Sequence, residues 1–206
     1  MFVAYYRREL DYFKKIKELI DGNTIGQVKY VEIKLVLPPN KAYYDRDNLP
    51  WRVNPKIAGA GYFYDLASHQ FDFLDFVFGP VKSAKGHSSN QLNLYETEDI
   101  VTASFTFESN ILGNGLWCFT SEADQRIDTS TVTGSEGILT FSFFGRTPIE
   151  IAKGGEISPY SVDYPQHVQQ QLINTVVQDI LGKGKCISTG DSGARTNWVL
   201  EQILAE

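Results

Sequence analysis

Leu10, Phe13, Ile16, Leu19 and Ile20 recur every three or four residues with lysines between them, so the pattern predicts an amphipathic helix over Glu9–Ile20. The period then changes. From Gly26 to Leu37 the segment GQVKYVEIKLVL alternates apolar and polar positions, as a half-buried strand does, and Pro38 and Pro39 end it. All period is lost over PPNKAYYDRDNLPWRVNPKIAG, and an irregular stretch of about twenty residues is uncommon in a compact domain unless it serves a site. Its Tyr43, Tyr44, Trp51 and Arg52 are contact-making residue types, although a loop pinned to the surface by its aromatics would look the same.

A second helical pattern runs through GAGYFYDLASHQFDFLDFVFG, Gly59–Gly79. Strand-like runs follow at Val81–His87, Ile100–Phe107, Gly113–Thr120, Arg126–Thr133 and Gly137–Phe144, with GSEG marking a tight turn and PIEIAKGG reading as an edge strand. The chain ends in two helices. The first carries Val168, Leu172, Val176, Asp179 and Ile180 and stops at GKGK; the second is expected to be capped by Asp191 or Ser192. Strands that follow one another without intervening helices imply antiparallel pairing. The expectation is one α+β domain: a large, mainly antiparallel sheet with helices packed on one face.

Composition narrows the function. A hydrophobic share of 42% and a charged share of 21% are ordinary for a folded domain. The net charge of −6, with no basic run, argues against nucleic acid. No apolar stretch approaches bilayer length and the N-terminus lacks a signal-peptide pattern, so a membrane role is not expected. Cys118 and Cys186 form no metal or redox spacing; Cys118 reads as a small buried hydrophobe, and the expected compartment is the cytoplasm. Trp117 and Trp198 read as core and Lys153 as surface, while His87 and His167 carry no assignment.

The chemistry concentrates in the second helix. At about 100° per residue, Asp65, His69, Asp72 and Phe76 share a stripe, with Leu66, Phe73, Leu74 and Val77 opposite and facing the core. Asp65 and His69 are neighbours one turn apart, so the carboxylate is expected to hydrogen-bond the imidazole, raise its proton affinity and suit it to acid–base work. Three other readings compete. A dinucleotide cradle is rejected, because the third glycine of the fingerprint is Tyr64 and no strand precedes Gly59. A metal site would need ligands from elsewhere, and none is assigned. A merely solvated helix face would carry the same residue types.

The series GAGYFYDLASHQFDFLDFVFGPV, AYYRRELDYFKKIKELIDGNTIGQVKYV, LPWRVNPKIAGAG, TVTGSEGILTF and HVQQQLINTVVQDILGKGKCISTGDSGARTNWVLEQIL resembles the Gfo/Idh/MocA oxidoreductases, in family order over essentially the whole chain. The resemblance implies the C-terminal α/β domain of an NAD(P)-dependent enzyme acting on a sugar, cyclitol or related polyol. It implies that His69 assists proton transfer, that Asp65 orients it or contacts the substrate hydroxyl, and that Asp72, one turn deeper, supports the helix. Trp51 and Arg52 are placed to reach substrate, and Tyr5 and Arg7 fall near a domain junction. By the same resemblance, residues 1–8 are the remnant of the last strand of an absent nucleotide-binding domain, and 9–206 form a single substrate-side and oligomerisation domain. Phe2–Tyr6 is then expected to be displaced, swapped or poorly ordered. NAD or NADP would bind the full-length protein and not this chain tightly, since the family's Glu-Lys-Pro segment with its catalytic lysine does not occur here. Expected partners are that nucleotide-binding domain, a small-molecule substrate and a second copy, joined through a sheet face for which Ile100, Val101, Phe105 and Phe107 are candidates. A non-catalytic binding or assembly module on the same fold is the alternative.

Overall fold

The alternation read in the sequence becomes a single sheet whose inner face is aromatic and aliphatic. In β1 (Val28–Val36) Val31, Ile33 and Leu35 are buried while Glu32 and Lys34 face solvent, as side chains of successive strand residues must. The structure, a computed structural model, describes residues 1–58 and 60–205; Gly59, the first glycine of the Gly-x-Gly turn, and Glu206 lie outside the described residues. The other strands are β2 (Val81–Ser89), β3 (Ile100–Phe107), β4 (Leu112–Cys118), β5 (Ile127–Gly134), β6 (Ile138–Phe141), β7 (Ile149–Lys153) and β8 (Glu156–Tyr160). They lie in the order β2-β3-β4-β1-β5-β6-β7-β8. Every described neighbour pair is antiparallel except β1 and β4, which run parallel because β1 is inserted between β4 and β5.

The helices are α1 (Asp11–Asp21), α2 (Pro55–Ala58), α3 (Tyr62–Phe78), α4 (Gln170–Ile180) and α5 (Gly190–Leu204). α3 lies over the sheet centre: Phe71 meets Phe105 at 5.0 Å between ring centroids, Phe63 meets Trp117 at 5.0 Å, and Trp117 Nε1 donates to Gln70 Oε1 at 2.6 Å. Gly115 makes this possible, because a Cβ there would occupy the space of the Trp117 ring. α1 packs Phe13 against Phe73 at 4.8 Å, and α5 lies along α3 and β2. Among the described residues no helix is long and apolar enough to cross a membrane.

Several expectations change at this level. Val101, Phe105 and Phe107 share the buried face of β3, while Ile100 alternates to the outer face with Leu112 and Ile138, so apolar residues stand on both faces, the outer ones among Thr102, Ser104, Asn114 and Lys34. Trp198 is 39% exposed and is no core residue. α5 is capped by Thr189, whose hydroxyl accepts from Ser192 N–H at 3.4 Å while Ser192 Oγ accepts from Thr189 N–H at 3.2 Å. β8 was unforeseen, since its Pro159 is tolerated only on an edge strand, which is where it lies. The irregular segment contains short 3-10 turns at Lys41–Tyr44, Arg46–Asn48 and Trp51–Val53, then α2. Phe2–Tyr6, expected to be displaced, swapped or poorly ordered, is seated on the start of α5: Phe2 bridges Thr189, Val3 N–H donates to Ser188 O at 3.1 Å, and Ser188 Oγ donates to Val3 O at 2.8 Å.

Candidate functional site

The irregular segment has a small core of its own. Tyr43, Val53 and Tyr95 are buried together, and Tyr43 meets Tyr95 at 5.2 Å and Tyr62 at 6.2 Å. Burial pushes the Tyr43 hydroxyl up to about 12, so it stays neutral. Arg46 Nη2 donates to Asn93 O at 3.0 Å, and the Asp99 carboxylate accepts from Gln91 and Leu92 N–H, each at 2.8 Å. These ties fix the Trp51–Val53 turn over the first turn of α3. There Arg52 Nε forms an ion pair with Asp65 Oδ2 at 3.0 Å, and the guanidinium lies 4.8 Å from the Trp51 ring centroid. Both partners stay accessible, at 50% and 36% of their side chains, and with Trp51, Gly61 and Tyr64 they line a cavity of about 180 Å³.

The helix begins at Gly61, where a Cβ would run into the Thr97 side chain and Glu98. That glycine serves a close approach between chain segments, so the described residues form no phosphate cradle there and do not fit a dinucleotide on their own. Glu98 enters the site by the same approach. Its carboxyl is pushed up by burial, Oε1 has no partner among the described residues, and its charge is felt at Tyr64. Sequence reading missed it, because the segment QLNLYETED shows no period.

His69 sits one turn below Asp65 but does not pair with it. Its ring is packed edge-on against Tyr5 at 5.6 Å and Tyr6 at 5.5 Å, and Nδ1 is buried with no partner among the described residues. Burial, reinforced by the Arg7 guanidinium, pushes the imidazole down from 6.5 to about 3. The expected hydrogen bond and raised proton affinity are therefore corrected: Asp65 is taken by Arg52, and His69 is held neutral under two tyrosines and beside a cation.

Asp72 is sealed. Its Oδ2 accepts from Arg8 Nε at 2.8 Å and its Oδ1 from Arg8 Nη2 at 2.7 Å; Arg8 Nη2 also reaches Asp75 at 3.2 Å, and Arg195 closes on Asp75 at 2.8 and 2.7 Å. Burial pushes the Asp72 carboxyl up to about 6 against the pull of Arg8. The network ties the N-terminal segment, α3 and α5 together, so the supporting role expected of Asp72 has a geometric basis, while its place on a solvated stripe does not. Of the residues singled out in sequence, Trp51, Arg52 and Asp65 come together, with His69 beneath them and Tyr5 against it. Asp72 belongs to other surroundings, and Arg7 reaches this group only through its charge, felt at His69.

Residues 13–140 match the family described as the GFO/IDH/MocA C-terminal domain. Oxidoreductase P35 of Formosa agariphila is 38% identical over 175 residues, covering 85% of this chain and 53% of its own length. The fold is similar to that of the aldose-aldose oxidoreductase of Caulobacter crescentus, solved with glycerol, at a TM-score of 0.80 and 20% identity over 98% of this chain and 59% of that one. It is also similar to the WlbA dehydrogenase of Bordetella pertussis, solved with NADH and UDP-GlcNAcA, at a TM-score of 0.77 and 19% identity over 98% and 60%. This chain thus spans about half the length of the relative it matches in sequence. The chain belongs to the GFO/IDH/MocA family, as its C-terminal domain.

Proposed function

We propose that this domain is the substrate side of an NAD(P)-dependent oxidoreductase that acts on a carbinol of a sugar, cyclitol or related polyol. The observation that carries the reading is the accessible Arg52–Asp65 pair beside Trp51, with a neutral His69 one turn below. A polyol presents neighbouring hydroxyls and a face of C–H bonds. A carboxylate that only accepts, a guanidinium that only donates and an indole face match those three features. With a pKa near 3, His69 is a weak base at rest, so its part is to orient the reacting hydroxyl and share its proton with the lysine that the family carries on its preceding unit. A nicotinamide held by that unit would supply the hydride acceptor.

The surface supports the missing partner. Ile173, Val177, Ile180 and Leu181 form an exposed stripe at the α4 face, and α4 contacts the Tyr6–Glu9 turn. We assign that stripe to the nucleotide-binding unit, residues 1–5 being the end of its last strand and Tyr6–Glu9 the turn that follows it. The outer sheet face, with Tyr30, Leu112 and Ile138 exposed among polar residues, is the proposed dimer surface. A protein that sediments as a monomer would remove this last part alone.

The test is the full-length protein with NAD⁺ or NADP⁺ and a panel of aldoses, inositols and sugar acids. Reduction of the nucleotide with at least one of them is expected, and His69→Gln should lower kcat by about a hundredfold or more. No turnover across the panel, or an unaltered kcat in His69→Gln, would defeat the reading.

A further inference from the structure

Arg7 and Arg8 are consecutive, and each is 4% exposed, yet only Arg8 meets carboxylates. Among the described residues Arg7 forms no ion pair. Its Nε donates to Phe143 O at 3.3 Å, and Nη1 is buried with no partner among the described residues. The guanidinium lies between aromatic rings, 4.6 Å from the Phe144 centroid and 4.9 Å from that of Tyr6. Nearby acids are occupied: Asp72 and Asp75 hold Arg8 and Arg195, and Asp128 accepts from the N–H groups of Phe143, Phe144 and Gly145 at 3.1, 2.6 and 2.7 Å. An uncompensated buried cation is unfavourable, and ring stacking offsets only part of that.

The same guanidinium lines a cavity of about 150 Å³ between α1, the 143–146 turn and the 164–168 segment. Two further donors meet it there. Tyr164 Oη is buried with no partner among the described residues, and Arg146 lies across the Tyr164 ring at 4.9 Å from the turn's solvent side. Arg146 reaches that position from a backbone φ of 53°, a left-handed conformation that a non-glycine residue adopts only where its surroundings hold it. We propose that this pocket binds a small oxyanion, a carboxylate or a phosphate group, between the guanidinium groups of Arg7 and Arg146 and the Tyr164 hydroxyl. The volume is below the roughly 300–1,000 Å³ of pockets for drug-sized ligands, so the ligand is the anion itself or the charged end of a larger molecule. The pocket is distinct from the Arg52–Asp65 site and does not depend on the redox reading.

The test is thermal unfolding of the 206-residue chain during titration with sodium phosphate and, separately, sodium acetate, ionic strength being held constant with sodium chloride. A saturable rise in Tm is expected with at least one anion. Arg146→Ala, at an exposed position, and Tyr164→Phe should each raise the apparent Kd about tenfold, the loss of one charge-assisted hydrogen bond. The ¹⁵N resonance of Arg7 Nε should shift with the same saturation curve. Tighter phosphate than acetate assigns a tetrahedral ligand, and the reverse order a carboxylate. No saturable rise with either anion, or a rise that both variants leave unchanged, overturns the proposal.

Discussion

Asp65 and Asp72 lie two turns apart on α3 and each holds an arginine, Asp65 in partial solvent beside a cavity and Asp72 fully buried with both oxygens bonded. Residue type and helical stripe are the same. What differs is the origin of the partner. Arg52 comes from a surface turn carried by a small satellite core, whereas Arg8 comes from a segment clamped between α3 and α5. The buried pair fixes the helix against its neighbours, and on the function proposed above the exposed pair exchanges its internal contact for a ligand. The contrast is between a joint and a binding surface built from one chemical motif.

The sharpest way to break the contrast is to remove Arg8. Arg8→Met strands Asp72 and loosens Asp75, and losing one partner of a buried pair should lower stability by about 3–5 kcal/mol, read as a fall in the urea midpoint. A loss below about 1 kcal/mol would place Asp72 in the same class as Asp65.

Acid separates the halves next. The folded-state pKa of His69 is depressed from 6.5 to about 3, so its contribution is present above the unfolded value and is lost as pH falls through the folded one. Between about pH 6.5 and 3 the unfolded chain binds the proton and the native chain does not, which favours unfolding by a few kcal/mol in all. His69→Gln removes that proton uptake, so the difference in ΔG of unfolding between variant and wild type should move in the variant's favour as pH falls from 7 to 4. A difference that stays level over this range would show that His69 is not held neutral by its surroundings.

Much of this was legible in the chain itself. β3 was readable because Val101–Phe107 alternates without a break, and α3 was readable because its apolar residues outnumber any competing pattern. Asp65, His69 and Arg52 were singled out by spacing, residue type and the family resemblance. Their bonding was not, because the i, i+4 relation brings Asp65 near His69 without saying that Arg52 arrives first. Arg7 and Arg8 make the same point: adjacent identical residues point to opposite sides, one to carboxylates on α3 and one to rings on α1 and the 143–146 turn, and only tertiary packing decides which. Glu98, in a segment with no period, left no local trace.

Arg195 tests how far the joint extends. It bonds Asp75 from a side chain that is 45% exposed, so solvent can replace part of what it gives. Arg195→Ala should lower stability by about 1–2 kcal/mol, below Arg8→Met, since Asp75 keeps its contact with Arg8. Equal losses in the two variants, by urea titration, would mean that the network acts as one indivisible unit.

The smallest structural effect should accompany the clearest functional one. Arg52→Ala removes an ion pair in which both side chains are substantially exposed, and such pairs contribute about 0–1 kcal/mol, so the unfolding midpoint should hardly move. Trp51 and Asp65 then lose the group that joins them across the cavity. On the proposed function, the substrate KM of the full-length protein should rise about tenfold or more, with a smaller change in kcat, because ground-state positioning is what has been taken away. Arg52→Lys, which keeps the charge but not the planar fork, should recover only part of the KM. An unchanged KM in Arg52→Ala would make the pair a second structural tie, weaker than Asp72–Arg8 but of the same kind.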